Sequence, residues 1–320
     1  MSEYVIGIDV GGTRIKSVAV SRDGTLIHTR ICPSGFDLSA DKITETLCDE
    51  VQFLESHMGV RPLGLGLGFP GVVHPHKGIV MLPGKLRLEG FPIVEILSHR
   101  LNIPAIAEND GRLSIIAESG YGIARGCKWV VSITLGTGVG SGVMLDGKIL
   151  QDPYLQFGTQ ASHIVQQSNS DRLCITNARG TANILCSASA LAILARDGLA
   201  RGLPSRLNQQ YFENPMSIDY KSVISAAQQG DALSQDVLKV WRNELGWFLV
   251  SVVHMYSPEI IVLGGGATAG APYFLDWIRT HVNEHTFRYP PDRDILIELS
   301  ETPVYSVALG AAFLAWNLSQ

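Results

Sequence analysis

Apolar positions along this chain follow two patterns, a strand-like run or alternation bounded by glycine and a recurrence at helical spacing. Near the start, Val5–Val10 reads as a strand and Gly11-Gly12-Thr13 as a tight turn. Ile15–Val20 reads as an alternating second strand, Asp23-Gly24 as a hairpin signal and Leu26–Ile31 as a third strand. The same order recurs in Val130–Leu135, the turn Gly136-Thr137-Gly138, Val139–Leu145, the hairpin Asp146-Gly147 and a strand beginning at Lys148–Leu150. The two copies are too distant for a solenoid repeat and fit two related domains facing each other.

Between the copies the pattern predicts helices over Ala40–Met58, Ile93–Leu101 and Gly111–Tyr121, and strands at Gly64–Phe69 and Ala105–Ala107. A loop rich in Pro and Gly follows the first of these strands. After the second copy, an irregular stretch to Arg179 precedes helices over Ala182–Arg196, Tyr220–Gln229 and Ala232–Tyr256. Val237, Trp241 and Leu245 predict a buried stripe on the last of these. Pro258 stops it, and Ile260–Leu263 is a short strand that opens into Gly264-Gly265-Gly266. A final helix, Ser306–Leu318, is expected to pack back on the first domain. Alternating strands and helices indicate an α/β architecture.

Length and composition narrow the function. The 320 residues leave room for two domains. With 46% hydrophobic and 17% charged residues, the chain has the make-up of a globular enzyme rather than a disordered segment. A net charge of −5 with no basic run argues against nucleic-acid binding. The longest apolar run, Trp247–Leu263, is broken by His254, Pro258 and Glu259, so no membrane span is expected. The start, MSEYVIGIDVGG, lacks signal-peptide features, and a cytoplasmic location is expected. Five scattered cysteines, Cys32, Cys48, Cys127, Cys174 and Cys186, read as reduced thiols. Many of the 33 glycines cluster after apolar runs, which points to backbone approaching a ligand.

Three glycine motifs carry the candidate chemistry. In Asp9-Val10-Gly11-Gly12-Thr13-Arg14-Ile15-Lys16, a glycine turn offers backbone N–H groups to phosphate. The strand-end Asp9 could hold Mg²⁺ through water. The plainer reading is a hairpin whose glycines only meet positive φ. In Leu135-Gly136-Thr137-Gly138-Val139-Gly140-Ser141-Gly142, alternating glycines weaken a sheet unless a bulged turn faces a ligand. Gly264-Gly265-Gly266 can seat an adenine or ribose, or can be a simple strand-to-helix turn.

Two other matches are rejected. Gly66, Gly68 and Gly71 fit a dinucleotide fingerprint, but Pro70, Pro75 and Gly78 replace the required helix with a loop. Gly142–Lys148 resembles the start of a P-loop, but Ile149 stands where Ser or Thr must bind Mg²⁺. Glu108-Asn109-Asp110 ends a strand before a helix, where a carboxylate could take the proton of a substrate hydroxyl or simply cap the helix. His281 and His285, without an acidic partner, read as a solvated helix face rather than metal ligands.

Taken in order, these residues resemble the ROK family of sugar kinases and repressors across nearly the whole chain. The resemblance implies an α/β fold of two actin-like (ribonuclease H-like) domains with an ATP and sugar cleft between them. Residues 1–118 and 304–320 would form the smaller domain and 119–303 the larger. It implies ATP as phosphoryl donor with Mg²⁺, held by Asp9, Gly11, Gly12, Thr13, Lys16, Gly136, Thr137, Gly138, Gly264, Gly265 and Gly266. It makes Asp110 the general base and Asn109 a sugar ligand. Gly68-Phe69-Pro70-Gly71 becomes a sugar-side loop, which adds Gly71 to the substrate contacts.

Departures from the family pattern change the pocket. Thr159-Gln160-Ala161-Ser162-His163 stands for the family's G-E-x-G-H, so Gln160 replaces a sugar-binding Glu and only His163 is kept. Cys174, Thr176, Asn177, Gly180, Thr181 and Asn183 align with C-x-C-G-x-x-G-C-x-E, so two thiolates are lost and Asn183 replaces a second Glu. One Cys and one His are too few for a structural zinc site, and none is expected. Gln160, His163 and Asn183 then remain as substrate contacts, and the sugar loop around Lys85–Glu89 is also altered.

Two functions follow, an active sugar kinase with a rewritten pocket or a non-catalytic sugar- or nucleotide-binding sensor. The first phosphate motif begins at Val5 of this sequence, so the DNA-binding helices of family repressors are not expected. The expected partner is a small sugar substrate, not nucleic acid or membrane, and a homodimer is left open.

Overall fold

The structure is a computed structural model that describes residues 3–35, 39–74, 77–82, 86–151 and 160–318. Pro75, Lys85 and Thr159 lie outside the described residues. The chain divides into two units, Met1–Ser132 with Gly142–Thr159 and Ser300–Gln320, and Ile133–Ser141 with Gln160–Leu299. The division falls within the strands that flank the second glycine turn.

The first unit opens with β1 (Val5–Val10), β2 (Arg14–Val20) and β3 (Leu26–Pro33), an antiparallel meander around the first glycine turn. Helix α1 (Ala40–Met58) is capped by Ser39, whose side chain accepts from the Lys42 N–H, and ends at Gly59 with φ 68°. Its buried stripe, Ile43, Leu47, Val51 and Leu54, faces the core. Strand β4 (Leu65–Phe69) precedes a hairpin of β5 (Val72–His74) and β6 (Ile79–Leu82), within the segment expected to be loop. Then come α2 (Ile93–Leu101), β7 (Ala105–Asn109) and α3 (Asp110–Gly120). The sheet runs β3-β2-β1-β4-β7, with β1, β4 and β7 parallel. Such parallel strand ends are where α/β folds place their chemistry.

The second sheet repeats the pattern in the order β10-β9-β8-β11-β12, with β8 (Val130–Leu135), β9 (Val139–Leu145) and β10 (Lys148–Ile149). The helix expected over Ala182–Arg196 is two helices, α4 (Ala182–Cys186) and α5 (Ala188–Ala200). Ser187 caps the second, and Trp241 Nε1 donates to the Cys186 and Ser187 carbonyls at 3.1 and 2.9 Å, which secures the break. Helices α6 (Asn208–Glu213), α7 (Tyr220–Gln228) and α8 (Ala232–Tyr256) follow, with Val237, Trp241 and Leu245 buried as expected. Strand β11 (Ile260–Gly264) is paired in parallel with β12 (Leu296–Leu299), after helix α9 (Leu275–His285).

His281 on α9 is not on a solvated face. It is buried, stacks on Trp277 with centroids 4.6 Å apart, and meets the edge of Trp247 at 4.6 Å.

The last helix, α10 (Ser306–Leu318), returns to the first unit and explains several glycines. A Cβ at Gly7 would stand 1.9 Å from the Ala308 carbonyl oxygen, and one at Gly66 would stand 1.9 Å from that of Ala311. At Gly68 it would meet Val307 at 2.5 Å, and at Gly310 it would meet the Leu113 oxygen on α3 at 1.9 Å. These glycines let helix backbone lie directly on β1, β4 and α3. Those in Gly66 and Gly68 therefore serve packing, consistent with rejecting the dinucleotide fingerprint.

Candidate functional site

In the first unit the site is built where β1 and β7 end. Antiparallel pairing sets Asp9 on β1 opposite Lys16 on β2, and the two form an ion pair at 2.9 Å, both partly exposed. The turn between them is closed by its own backbone, Gly11 N–H donating to the Arg14 oxygen at 3.1 Å. Ser34 adds two bonds, its N–H to the Thr13 oxygen at 3.1 Å and its hydroxyl to the Gly11 oxygen at 2.5 Å. Sequence reasoning had not singled out Ser34. Gly12 and Thr13 lie in the same turn, and Thr13 is exposed.

At the end of β7, Asn109 is the N-cap of α3, its side-chain oxygen accepting from Arg112 N–H at 3.2 Å. Its amide nitrogen donates to the Gly71 oxygen at 2.6 Å and to Asp110 Oδ1 at 3.0 Å. Gly71, with φ 87°, can hold that orientation because it has no side chain. Asp110 Oδ1 also accepts from Gly111 N–H at 2.8 Å. Burial first, and the charge of Asp9 second, push the Asp110 carboxyl up to about 6 against those hydrogen bonds. The structure thus brings Asp9, Lys16, Gly71, Asn109 and Asp110 into one unit, where the first glycine turn follows the end of β1 and a carboxyl of raised pKa follows the end of β7.

The second unit holds the other glycine motifs. Gly136 N–H donates to the Gly138 oxygen and the Gly136 oxygen accepts from Ala188 N–H, both at 2.9 Å, so the turn is tied to the start of α5. Val139 N–H donates to Asn183 Oδ1 at 2.9 Å. Asn183, expected as a sugar contact, therefore spends its amide oxygen on this turn. Gly265 has φ 86°, and a Cβ there would stand 2.5 Å from the Leu135 oxygen, so the third motif packs on the second.

A cavity of about 520 Å³ opens between these turns. Gly136, Thr137, Gly266 and Ala267 line it together with Ser189, Ile218 and Tyr220. Tyr220 is fixed by its hydroxyl donating to the Ala267 oxygen at 2.8 Å. None of Ser189, Ile218 and Tyr220 carries a sequence motif; they converge through the fold. A larger cavity of about 620 Å³, lined by Leu194, Leu203 and Val237 and edged by the Arg172–Asp197 ion pair at 2.7 Å, includes none of the predicted residues.

Ser141 connects the second turn to the altered pocket motif, its hydroxyl accepting from Ala161 N–H at 3.1 Å. Gln160 is exposed and His163 half-buried, and the His163 N–H donates to the Gln160 oxygen at 2.9 Å. His163 Nδ1 lies 3.4 Å from Cys174 Sγ. Among the described residues, no group of three or more His, Cys, Asp or Glu side chains is placed to hold a metal ion. No helix among them is long and apolar enough to cross a membrane.

A model of the ROK family matches residues 5–317. A glucokinase of Halalkalibacterium halodurans is 28% identical over 281 residues, covering 87% of this chain and 84% of its own. The crystal structure of a ROK family glucokinase from Streptomyces griseus, in complex with glucose and AMPPNP, superposes with a TM-score of 0.83 at 24% identity over 98% of this chain and 99% of that one. A ROK family transcriptional regulator, homologous to an E. coli protein, superposes at 0.86 with 20% identity over 100% of this chain and 79% of that one. The two-sheet α/β fold is therefore shared by kinases and regulators alike.

Proposed function

The chain belongs to the ROK family, and from that premise we propose that it is an ATP-dependent kinase that phosphorylates a hydroxyl of a sugar or sugar derivative. The observation that carries this reading is Asp110, a carboxyl held by Asn109 and Gly111 whose pKa is pushed up to about 6. Such a group is mostly ionised near neutral pH and still basic enough to take a proton. The acceptor hydroxyl oxygen attacks the γ-phosphorus, its proton passes to the Asp110 carboxylate, and ADP departs with the electron pair of the broken P–O bond. Kinship with glucokinases, one of them solved with glucose and AMPPNP, supports this assignment.

The first turn, with Lys16, offers the phosphates N–H donors and a cation. The cavity beside Gly136 and Gly266 has the size and glycine-lined wall to take the nucleoside. Mg²⁺ fits the donor set only as an ion carried largely by water and phosphate, since one partly exposed carboxylate, Asp9, is available and it already pairs with Lys16. Held there, Mg²⁺ would neutralise phosphate charge; Asp9 and Lys16 would orient it and the phosphate tail.

A second reading, a sensor that binds without turnover, is favoured by one observation. Gln160 and Asn183 stand where the resemblance puts two sugar-binding carboxylates, and Asn183 is engaged with Val139. A screen of ADP release over hexoses, amino sugars, N-acetylated sugars and cyclitols, run beside Asp110→Asn, separates the two. Turnover lost in the variant supports the kinase; sugar binding by calorimetry with no ADP release from any acceptor supports the sensor.

A further inference from the structure

We propose that Glu108 and Arg112 are positioning residues that hold the Asn109-Asp110 turn in its working geometry. The inference rests on the kinase reading for its meaning, though not for its structural test. Both groups are charged and buried; their side chains keep only 9% and 2% of their surface, and they pair at 3.0 Å. A buried ion pair is a poor source of stability, because desolvation offsets most of the attraction. Its placement gives it another use.

Glu108 Oε1 accepts twice, from Arg112 Nη1 at 3.0 Å and from the backbone N–H of Asn109 at 2.7 Å. Arg112 donates its own backbone N–H to the Asn109 side-chain oxygen at 3.2 Å. A closed ring results, from guanidinium to carboxylate, to the Asn109 backbone, through the Asn109 side chain and back to Arg112. The Asn109 amide nitrogen is the only part of that side chain left outside the ring, and it reaches Gly71 and Asp110 Oδ1. The orientation of the base is thus inherited from Asn109, and that of Asn109 from the ion pair. Neither Glu108 nor Arg112 is required to touch a substrate. Rates of group transfer fall steeply with small misplacements of a reacting group, which is what such a ring prevents.

The test uses the acceptor found in the screen. Arg112→Met should lower kcat by about 10- to 100-fold, with the KM for ATP nearly unchanged. Arg112→Lys should recover part of the loss. Because Arg112→Met leaves Glu108 buried without its partner, the double variant Glu108→Gln/Arg112→Met is measured beside it. It removes both charges and should fold with a Tm close to that of the wild type. A role in stability alone predicts that the double variant regains kcat together with Tm; positioning predicts that kcat stays low, and recovery would overturn the proposal.

Asp110→Asn in the same assay keeps this separate from the kinase reading. If that variant retains activity, or the wild type turns over no acceptor, the kinase reading fails, and hydrogen exchange decides the positioning. The amides of Asn109 and Gly111 should then exchange at least about 10-fold faster in both Arg112→Met variants. They should stay protected in Leu54→Ala, a core truncation in the same unit. Unchanged protection in the Arg112→Met variants would sink the proposal.

Discussion

The first glycine turn, between β1 and β2, is flanked by Asp9 and Lys16, and the Asp9 charge helps to raise the Asp110 carboxyl. The second, between β8 and β9, has no charged side chain from Gly136 to Gly140. It is tied instead by neutral partners, the Asn183 amide and the Ala188 N–H. The strands around the two turns follow the same order; β1 pairs in parallel with β4 beyond, and β8 neighbours β11 at the matching place in its sheet. One backbone pattern can thus carry two different chemistries. One copy concentrates charge around its turn, and under the proposed function that is where a proton moves; the other clears charged side chains away, where the nucleotide would rest.

The largest expected effect would confirm or break the charged half of this contrast. Asp110→Asn should lower kcat by about 10²- to 10⁴-fold in a coupled ADP-release assay. Loss of only a few-fold would move the base elsewhere. The same variant carries a sign test. The folded carboxyl titrates near 6 and the unfolded one near the ordinary Asp value, so between those pH values the folded state binds more protons. Stability contributed by this group therefore falls as pH rises through the window. Asp110→Asn should consequently be more stable than wild type at pH 7, by on the order of 1–3 kcal/mol in urea unfolding. Wild-type turnover should rise with pH through about 6.

The neutral half is best challenged at Gly266, where a Cβ would meet nothing within 4 Å. Gly266→Val should fold normally yet weaken nucleotide binding by at least about 10-fold in calorimetry, by filling the cavity. Gly138→Val is a blunter probe, because its Cβ would press on Asn183 Oδ1 at 2.8 Å and disturb the turn itself. Normal nucleotide affinity in Gly266→Val would remove the nucleotide from the cavity beside Gly136 and Gly266.

A smaller effect is expected at His163. Replacement by Ala should raise the acceptor KM several-fold, roughly the worth of one hydrogen bond, with little change in Tm. The smallest is a null. Cys174 and His163 alone are a weak donor pair, so prolonged chelation should leave Tm unchanged. Stoichiometric zinc in metal analysis, or unfolding by chelator, would restore a structural metal to this region.

Much of the frame was legible in the sequence because its signals are local. Helices α1, α2, α8 and α10 run where the apolar spacing places them, and β1, β8 and β9 end at glycine turns. What sequence could not show depends on distant partners. Strand β12 is four residues long and exists by pairing with β11, beyond an intervening helix. The break at Ser187 lies inside a continuous Ala- and Leu-rich pattern, and Trp241 from α8 secures it. His281 and His285 show the spacing of a solvated face, which holds for the exposed His285, whereas His281 is buried against Trp247 from α8 and Trp277. At the candidate site, the motif residues were readable, whereas Ser34, Ser189, Ile218 and Tyr220 carry no motif. Glycine misled in one respect. Gly7, Gly66 and Gly68 lie against a helix, a demand invisible until α10 is in place.

The seating of α10 on those glycines also has a consequence in time. A ribosome delivers β1 and β4 early and α10 only after the whole of the second unit. Until then the glycine pavement faces solvent with nothing to cover it, and the first sheet has one face bare. The second unit, whose longer stretch from residue 160 to 299 is continuous, can settle first as synthesis proceeds. The unit that bears Asp110 is therefore complete only once α10, the last element made, has docked.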